Sequence, residues 1–379
     1  MDFQLSQEQQ MLKDSARRYL EKNCAFEQRA PLVAQGSFDA ERWQAMAEFG
    51  WLAMALPEQF DGLGSGAIET AVLMEEIGRV LCVEPYWAVA VLAGQTIVAA
   101  GDARQAAELL PLLAAGLARP VLAHSEPEAR GLVEYVGTRA TPAGDGWRLN
   151  GRKTLVVGGN AADRFILSAR TGGALDARDG ISLFVLARDT PGLTVRALRM
   201  IDNRWCVEID LDDVRVGSEQ LLGEPGKGYA PLAAGHAHAL VALGAEAVGV
   251  MEKALWITRD YLKIRKQFGA QLSTFQSLQH RMSEMLIELE LARGMVFRAL
   301  ASLEAAPELR DRALSAMKVQ VGHSGKFVCA QAIQLHGGIG VTEEYVIGHH
   351  FKRMTTIEYA LGSSHVHLER LAEVVRKAA

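Results

Sequence analysis

The strongest constraint on this chain is a change of period. From Pro120 to about Gly228, apolar residues alternate with polar ones, as at Val133/Tyr135, Trp147/Leu149, Phe165/Leu167, Leu193/Val195 and Val207/Ile209/Leu211. Turn-forming residues separate these segments at Gly144 to Gly146, Gly158 to Asn160, Gly172-Gly173 and Pro191-Gly192. Successive strand residues point to opposite faces, so short period-two segments punctuated by turns predict a compact antiparallel β domain. On both sides of it the apolar spacing is close to 3.6, which predicts helices.

Before Pro120, Ser6 and Gln9 form a capping-box pattern ahead of Met11, Leu12, Ala16 and Leu20. A second helix is predicted from about Asp39, carrying Trp43, Met46, Ala47 and Phe49 and stopped by Gly50. Pro57 to Gly66 reads as a turn region and Ala67 to Leu81 as a further helix. After Tyr229, long Ala- and Leu-rich stretches at about 236–263, 275–304, 307–335 and 358–377 predict an antiparallel four-helix bundle. The expected fold class is mixed α and β, mainly α. It comprises an N-terminal helical domain at 1–118, a middle β-barrel domain at 119–227 and a C-terminal four-helix bundle at 228–379.

A chain of 379 residues is long enough for two or three such units. Its net charge of -5 and pI near 6.1, with no basic stripe, point away from a nucleic-acid partner. Cys24, Cys82, Cys206 and Cys329 form no CxxC pair, so neither a zinc site nor a disulfide framework is expected. His349 and His350 are adjacent and His365 and His367 alternate, so no i, i+4 metal pair arises and no metal is expected. The polar start, Met1 to Gln10, and the lack of a run of eighteen apolar residues lead to the expectation of a cytoplasmic protein with no membrane span.

Two later stretches carry groups suited to a dinucleotide. Arg265, Gln267, Phe268, Leu272, Phe275 and Gln276 follow an amphipathic helix, and Gln334, Gly337, Gly338 and Gly340 follow another. A guanidinium bonds phosphate oxygens in two places, and glycines let backbone approach a ligand closely. Taken singly, the first stretch also reads as an ordinary helix C-terminus with cations and an αL glycine, and the second as a glycine-rich helix stop.

Together these residues resemble the acyl-CoA dehydrogenase family, and the helical, β, helical order extends the resemblance over essentially the whole chain. It implies FAD as cofactor, an acyl-CoA substrate, an electron-transferring flavoprotein as acceptor, and a homo- or hetero-oligomer built as a dimer of dimers. Arg265 is expected to pair with the FAD pyrophosphate, with Gln267, Phe268, Leu272 and Gln276 on the adenosine side. Gln334, Gly337 and Gly338 are expected to contact the FAD of a neighbouring subunit. Ser125, Leu155, Val157 and Ser363 are expected nearer the flavin.

This chain departs from the family pattern. Glu128 to Gly131 replaces the Gly-Ser/Thr-Asp segment, and Val157 stands where a hydroxyl usually bonds flavin N5. The two family positions for the catalytic carboxylate carry Ala239 and Leu361. Glu358, three residues before Leu361, is the nearest substitute as catalytic base; its other reading is a carboxylate at a helix N-terminus. Glu246 is ranked below it. The resemblance is to the divergent small-subunit type, which works beside a large subunit. Two other readings stay open: a reduced-flavin monooxygenase or oxidase of the same fold, and a non-catalytic subunit that completes a partner's FAD site.

Overall fold

The computed structural model describes residues 4–378; the polar start at 1–3 lies outside them. In chain order the helices α1 (Gln7–Asn23), α2 (Arg29–Ala34), α3 (Ala40–Glu48) and α4 (Ala67–Val80) come first. A π-helical stretch, Trp87–Ala93, runs into α5 (Gly94–Ala100), followed by α6 (Ala103–Ala114). Strands β1 (Pro120–Ala123), β2 (Arg139–Ala143), β3 (Gly146–Val157), β4 (Arg164–Arg170), β5 (Ile181–Ala187), β6 (Leu193–Arg199), β7 (Trp205–Val216) and β8 (Leu221–Leu222) form the middle. Then come α7 (Tyr229–Ile264), the short strands β9 (Lys266–Gln267) and β10 (Ala270–Gln271), α8 (Gln276–Ala301), α9 (Pro307–His336), α10 (Val346–Tyr359) and α11 (Ser364–Ala378).

Local chemistry sets several boundaries as the sequence predicts. The Ser6 hydroxyl accepts from Gln9 N at 3.2 Å while Gln9 Oε1 accepts from Ser6 N at 2.9 Å, a complete capping box. Asp39 caps α3 through the amides of Glu41 and Arg42.

Two compact units emerge. One comprises residues 1–30, 67–82 and 240–379; the other comprises 31–66 and 83–239. The division falls inside α7, between Ala239 and Leu240.

In the first unit, α4 lies close against α7 because both are glycine at the crossing. A Cβ on Gly78 would sit 2.1 Å from the Glu246 carbonyl oxygen, and one on Gly249 would sit 1.9 Å from that of Glu75. Glu76 receives the Arg17 guanidinium in two bonds of 2.7 and 2.9 Å, tying α1 to α4. Glu246 receives Arg353 in the same bidentate manner at 2.6 and 2.7 Å, with both side chains buried. A charge buried this deeply is tolerated only when paired.

The second unit is built on an eight-stranded sheet with the path β6-β7-β3-β2-β4-β5-β8, and β1 added on β4. It is not wholly antiparallel. β1 runs parallel to β4, from Pro120 opposite Arg164 to Ala123 opposite Leu167, and β2 touches β4 in parallel at Arg139. Side-chain alternation has the same period in both directions, so it carries no information on strand orientation.

Two expected elements differ. Val133/Tyr135 is not a strand: Arg170, at the end of β4, takes the carbonyls of Glu134 and Val136 at 2.9 and 3.1 Å. The same guanidinium takes those of Leu175, Ala177 and Asp179 at 2.8 to 3.1 Å. One cation thus supplies partners that a neighbouring strand would otherwise provide. The helix expected at 358–377 is two helices, α10 and α11, broken where Leu361 has φ 56° and Gly362 φ 94°.

Candidate functional site

In the first unit, α7 ends at Ile264 and Arg265 leads into a tight hairpin. Lys266 pairs with Gln271 and Gln267 with Ala270, and the two tip residues, Phe268 and Gly269, both have positive φ, 54° and 79°. That is the backbone of a type I′ turn, in which a phenylalanine is uncommon. Phe268 is 90% exposed and meets Phe275 edge to face at 6.2 Å. The exposed Arg265 side chain has no ion pair among the described residues; its carbonyl accepts from Leu272 N and closes the hairpin. Arg265 and Lys266 flank an open cavity of about 600 Å³ lined also by Tyr261, Ile264 and Tyr345.

The second motif sits beside the first. Gln334 lies exposed on the last turn of α9, and Gly337 ends that helix with φ 66°. Nothing lies within 4 Å of a Cβ built on Gly337 or Gly338, so their backbone is open to close approach. Between the motifs, the buried His336 ring stacks on Tyr261 at 4.4 Å and lies 5.1 Å from Tyr345. Sequence reading gave no role to Tyr261 or Lys266, whose placement one turn before Arg265 and directly after it was the available signal, while Tyr345 belongs to the stretch Thr342 to Tyr345 that follows the glycine motif.

The segment between α10 and α11 is tightly held. Lys318 on α9 donates to the carbonyls of Ile357 and, at 2.7 Å, Ala360, while His367 Nε2 lies 3.1 Å from the Leu361 carbonyl. Glu358 is at the C-terminal end of α10, not at a helix N-terminus as one reading expected. Its two oxygens accept from Ser364 N at 2.9 Å and Ser364 Oγ at 2.7 Å, so it caps α11. Ser363, half-buried, accepts from Val366 N at 3.4 Å through its hydroxyl oxygen at the start of α11.

Burial pushes the Lys318 ammonium down to about 7, against the pull of Glu358 and with a further push from Arg353. An unfolded lysine keeps its proton to about 10.4. Between those values the unfolded chain binds more protons than the folded one, so stability rises with pH. We expect wild-type stability, referenced to Lys318→Met by urea unfolding, to climb from pH 7 to 10 and to be level below. A flat difference across that window contradicts the assignment.

In the second unit, β3 carries two of the expected residues, Leu155 and Val157. Its pairing with β7 is irregular between Lys153 and Val156, and Leu155 in that interval has φ 51° and is 56% exposed. Val157 is half-buried and borders a narrow cleft with Trp87 and Trp205. The Ser125 carbonyl accepts from Thr154 N at 2.9 Å, joining the Ser125 to Pro127 turn to β3. Below that turn Lys153, fully buried, donates to Glu126 at 2.6 Å and to Ser168 Oγ at 3.0 Å. Glu126 also accepts from the amides of Gly137 and Thr138 and from the Thr138 hydroxyl. Burial pushes Lys153 down to about 8, opposed by Glu126. Lys153 shares strand parity with Trp147 and Leu149, a signal that it points inward.

The donor set fits FAD. Two adjacent cations at a cavity beside open glycine backbone suit a pyrophosphate, and the tyrosine faces suit an aromatic ring. A flavin-type dinucleotide enzyme is the class these features define.

The acyl-CoA dehydrogenase N-terminal, middle and C-terminal domain models match residues 6–117, 121–214 and 226–376. A probable acyl-CoA dehydrogenase, YngJ of Bacillus subtilis, is 31% identical over 373 residues, 97% of each chain. Among solved structures, a variant of the Tcur3481-Tcur3483 steroid ACAD is 32% identical with a TM-score of 0.87, covering 98% of each chain. An acyl-CoA dehydrogenase from Geobacillus kaustophilus has a TM-score of 0.91 at 28% identity, covering 99% of this chain and all of that one. The chain belongs to the acyl-CoA dehydrogenase family. It is an oxidoreductase acting on acyl-CoA, and its cofactor is FAD. Among the described residues no helix is long and apolar enough to cross a membrane.

Proposed function

We propose that the chain desaturates a CoA thioester between the α and β carbons and passes the electrons to an electron-transferring flavoprotein. The observation that carries this is the Arg265, Lys266 and Tyr261 cavity beside Gly337 and Gly338. Bound FAD supplies the oxidising chemistry by accepting the hydride of the β-carbon. Arg265 and Lys266 hold phosphate, Tyr261 packs against the nucleotide, and Gln267, Leu272, Gln276 and Gln334 line it. Ser125, Leu155 and Val157 of the second unit are assigned to contact with a flavin ring, and Ser363 of the first unit is assigned the same role. The 90% exposed Phe268, with Ile264 and Val341 also exposed, supports an assembly in which this motif faces a neighbouring subunit.

Charge-assisted hydrogen bonds are worth about 1.5–3 kcal/mol, so Arg265→Ala should weaken FAD binding by about 10- to 150-fold. Flavin absorbance and calorimetry on the purified protein measure it. Unchanged affinity would remove Arg265 from the site.

A second reading follows from Ala239, Leu361 and the committed Glu358: the chain is the small subunit of a heteromer whose partner carries the carboxylate. The two-part name of the steroid relative accords with it. Co-purification from the native host separates the readings, since a homo-oligomer with full flavin content excludes the second.

A further inference from the structure

The four cysteines are far apart in sequence, yet folding brings two of them together. The Cys24 thiol donates to Cys82 Sγ at 3.8 Å, across 58 residues of chain, and both lie in the first unit. Disulfide sulfurs are about 2.05 Å apart, so an approach of about 1.8 Å separates this contact from a bond.

The backbone on either side is already in register. Gln9 donates to Glu69 at 2.8 Å and Lys13 to Glu75 at 3.2 Å, and the bidentate Arg17 to Glu76 pair completes a row that ties α1 to α4. Cys24 is the C-cap of α1, at the end of that row, and Cys82 follows α4 by two residues. Leu81 turns the chain with φ 56°, and Cys82 N donates to the Ile77 carbonyl at 3.2 Å, which fixes Cys82. The sulfur that moves is that of Cys24, where the chain leaves helical geometry at φ -121° and ψ 37°.

Exposure sets the order of events. Cys24 is half-buried, so a small oxidant reaches it, whereas Cys82 is 2% exposed and is reached through Cys24. Burial pushes the Cys206 thiol up to about 11 and that of Cys329 to about 12, so at neutral pH neither supplies the thiolate that oxidation requires.

We propose that Cys24 and Cys82 form a reversible disulfide that staples the end of α1 to the end of α4, with a peroxide as the oxidant. The Cys24 sulfur attacks one peroxide oxygen, the O–O bond breaks, and a water leaves with Cys24 as a sulfenic acid. The Cys82 sulfur then attacks Cys24 Sγ, the S–O bond breaks, the S–S bond forms and a second water leaves. The two thiols give up two electrons and two protons, and the peroxide takes them. A dithiol reverses the step by exchange and is itself oxidised to a disulfide. No step uses the flavin or the thioester. Closing the chain between positions 24 and 82 restricts the unfolded state, so the oxidised form resists unfolding.

The FAD-loaded protein is treated with a few equivalents of hydrogen peroxide at neutral pH. Remaining thiols are alkylated with iodoacetamide, and an unreduced tryptic digest is read by mass spectrometry. One linked pair of peptides should appear, carrying Cys24 and Cys82 and separated by dithiothreitol, and the thiols titrated after denaturation should fall from four to two. The midpoint of urea unfolding should rise on oxidation and fall back on reduction. Cys82→Ser should stop at the Cys24 sulfenic acid, trapped by dimedone, and Cys24→Ser should keep its urea midpoint unchanged by peroxide. Unlinked Cys24 and Cys82 in folded, peroxide-treated wild type overturn the assignment, as does a link that joins two chains or a Cys24 that runs on to sulfinic acid. A linked wild type whose midpoint does not rise overturns the staple. The wild-type peptide map decides the matter if the variants do not fold.

Discussion

Leu361→Glu accelerates anaerobic bleaching of the bound flavin by butyryl-CoA by about 10²- to 10⁴-fold, the range that a well-placed general base contributes. Position 361 is one of the two that the family resemblance assigns to the catalytic carboxylate, and here it holds a partly buried leucine. The backbone is already set. Leu361 has φ 56°, His367 lies against its carbonyl, and Lys318 holds the carbonyls of Ile357 and Ala360. A glutamate introduced there inherits that fixed loop. Glu358 does not compete, because both of its oxygens are engaged by Ser364. Stopped-flow absorbance at the flavin band checks the rate. A variant that binds FAD normally and bleaches no faster than wild type would show that the loop does not present its side chain to the thioester.

Glu246→Ala costs about 3–5 kcal/mol of stability, the usual penalty for removing one partner of a buried ion pair. Arg353 is 2% exposed and would keep its charge without the carboxylate that now takes two of its bonds. A further bond, to Thr356 Oγ1 at 3.1 Å, is to a neutral group. Because Glu246 lies at the α4 to α7 crossing, where its carbonyl faces Gly78, the loss strikes a close helix contact in that unit. Urea unfolding of the variant against wild type measures it. A loss below about 1 kcal/mol would mean that Arg353 finds another acceptor. Replacing both partners by leucine should recover most of the loss, since apolar packing substitutes well for a buried pair.

The period change at Pro120 and at Tyr229 was legible in the sequence because burial on one face imposes it directly. The capping box at Ser6 was legible because it depends on two residues three apart. The parallel β1 to β4 pairing was not, since alternation carries no direction. The replacement of a Val133/Tyr135 strand by bonds to Arg170 was hidden for another reason: its donor is some 35 residues away. In the candidate site, Arg265 and Gly337 stood out by type and spacing. The role of Glu358 did not, because whether a carboxylate caps α11 or lies on a continuous helix depends on the break at Leu361. Lys153 was concealed by its charge, which usually marks a surface.

Arg170 has a consequence for how the β unit moves. Its guanidinium joins two segments, Glu134 to Val136 and Leu175 to Asp179, that never pair with each other as strands. The direct link between them, Val136 N to the Leu175 carbonyl, is a single bond. If either segment lifts away, the other loses the geometry that aims the shared donors, so their fluctuations are correlated. Sequence changes in one will therefore be felt as altered amide protection in the other, and the pair will drift together in evolution as one mechanical element.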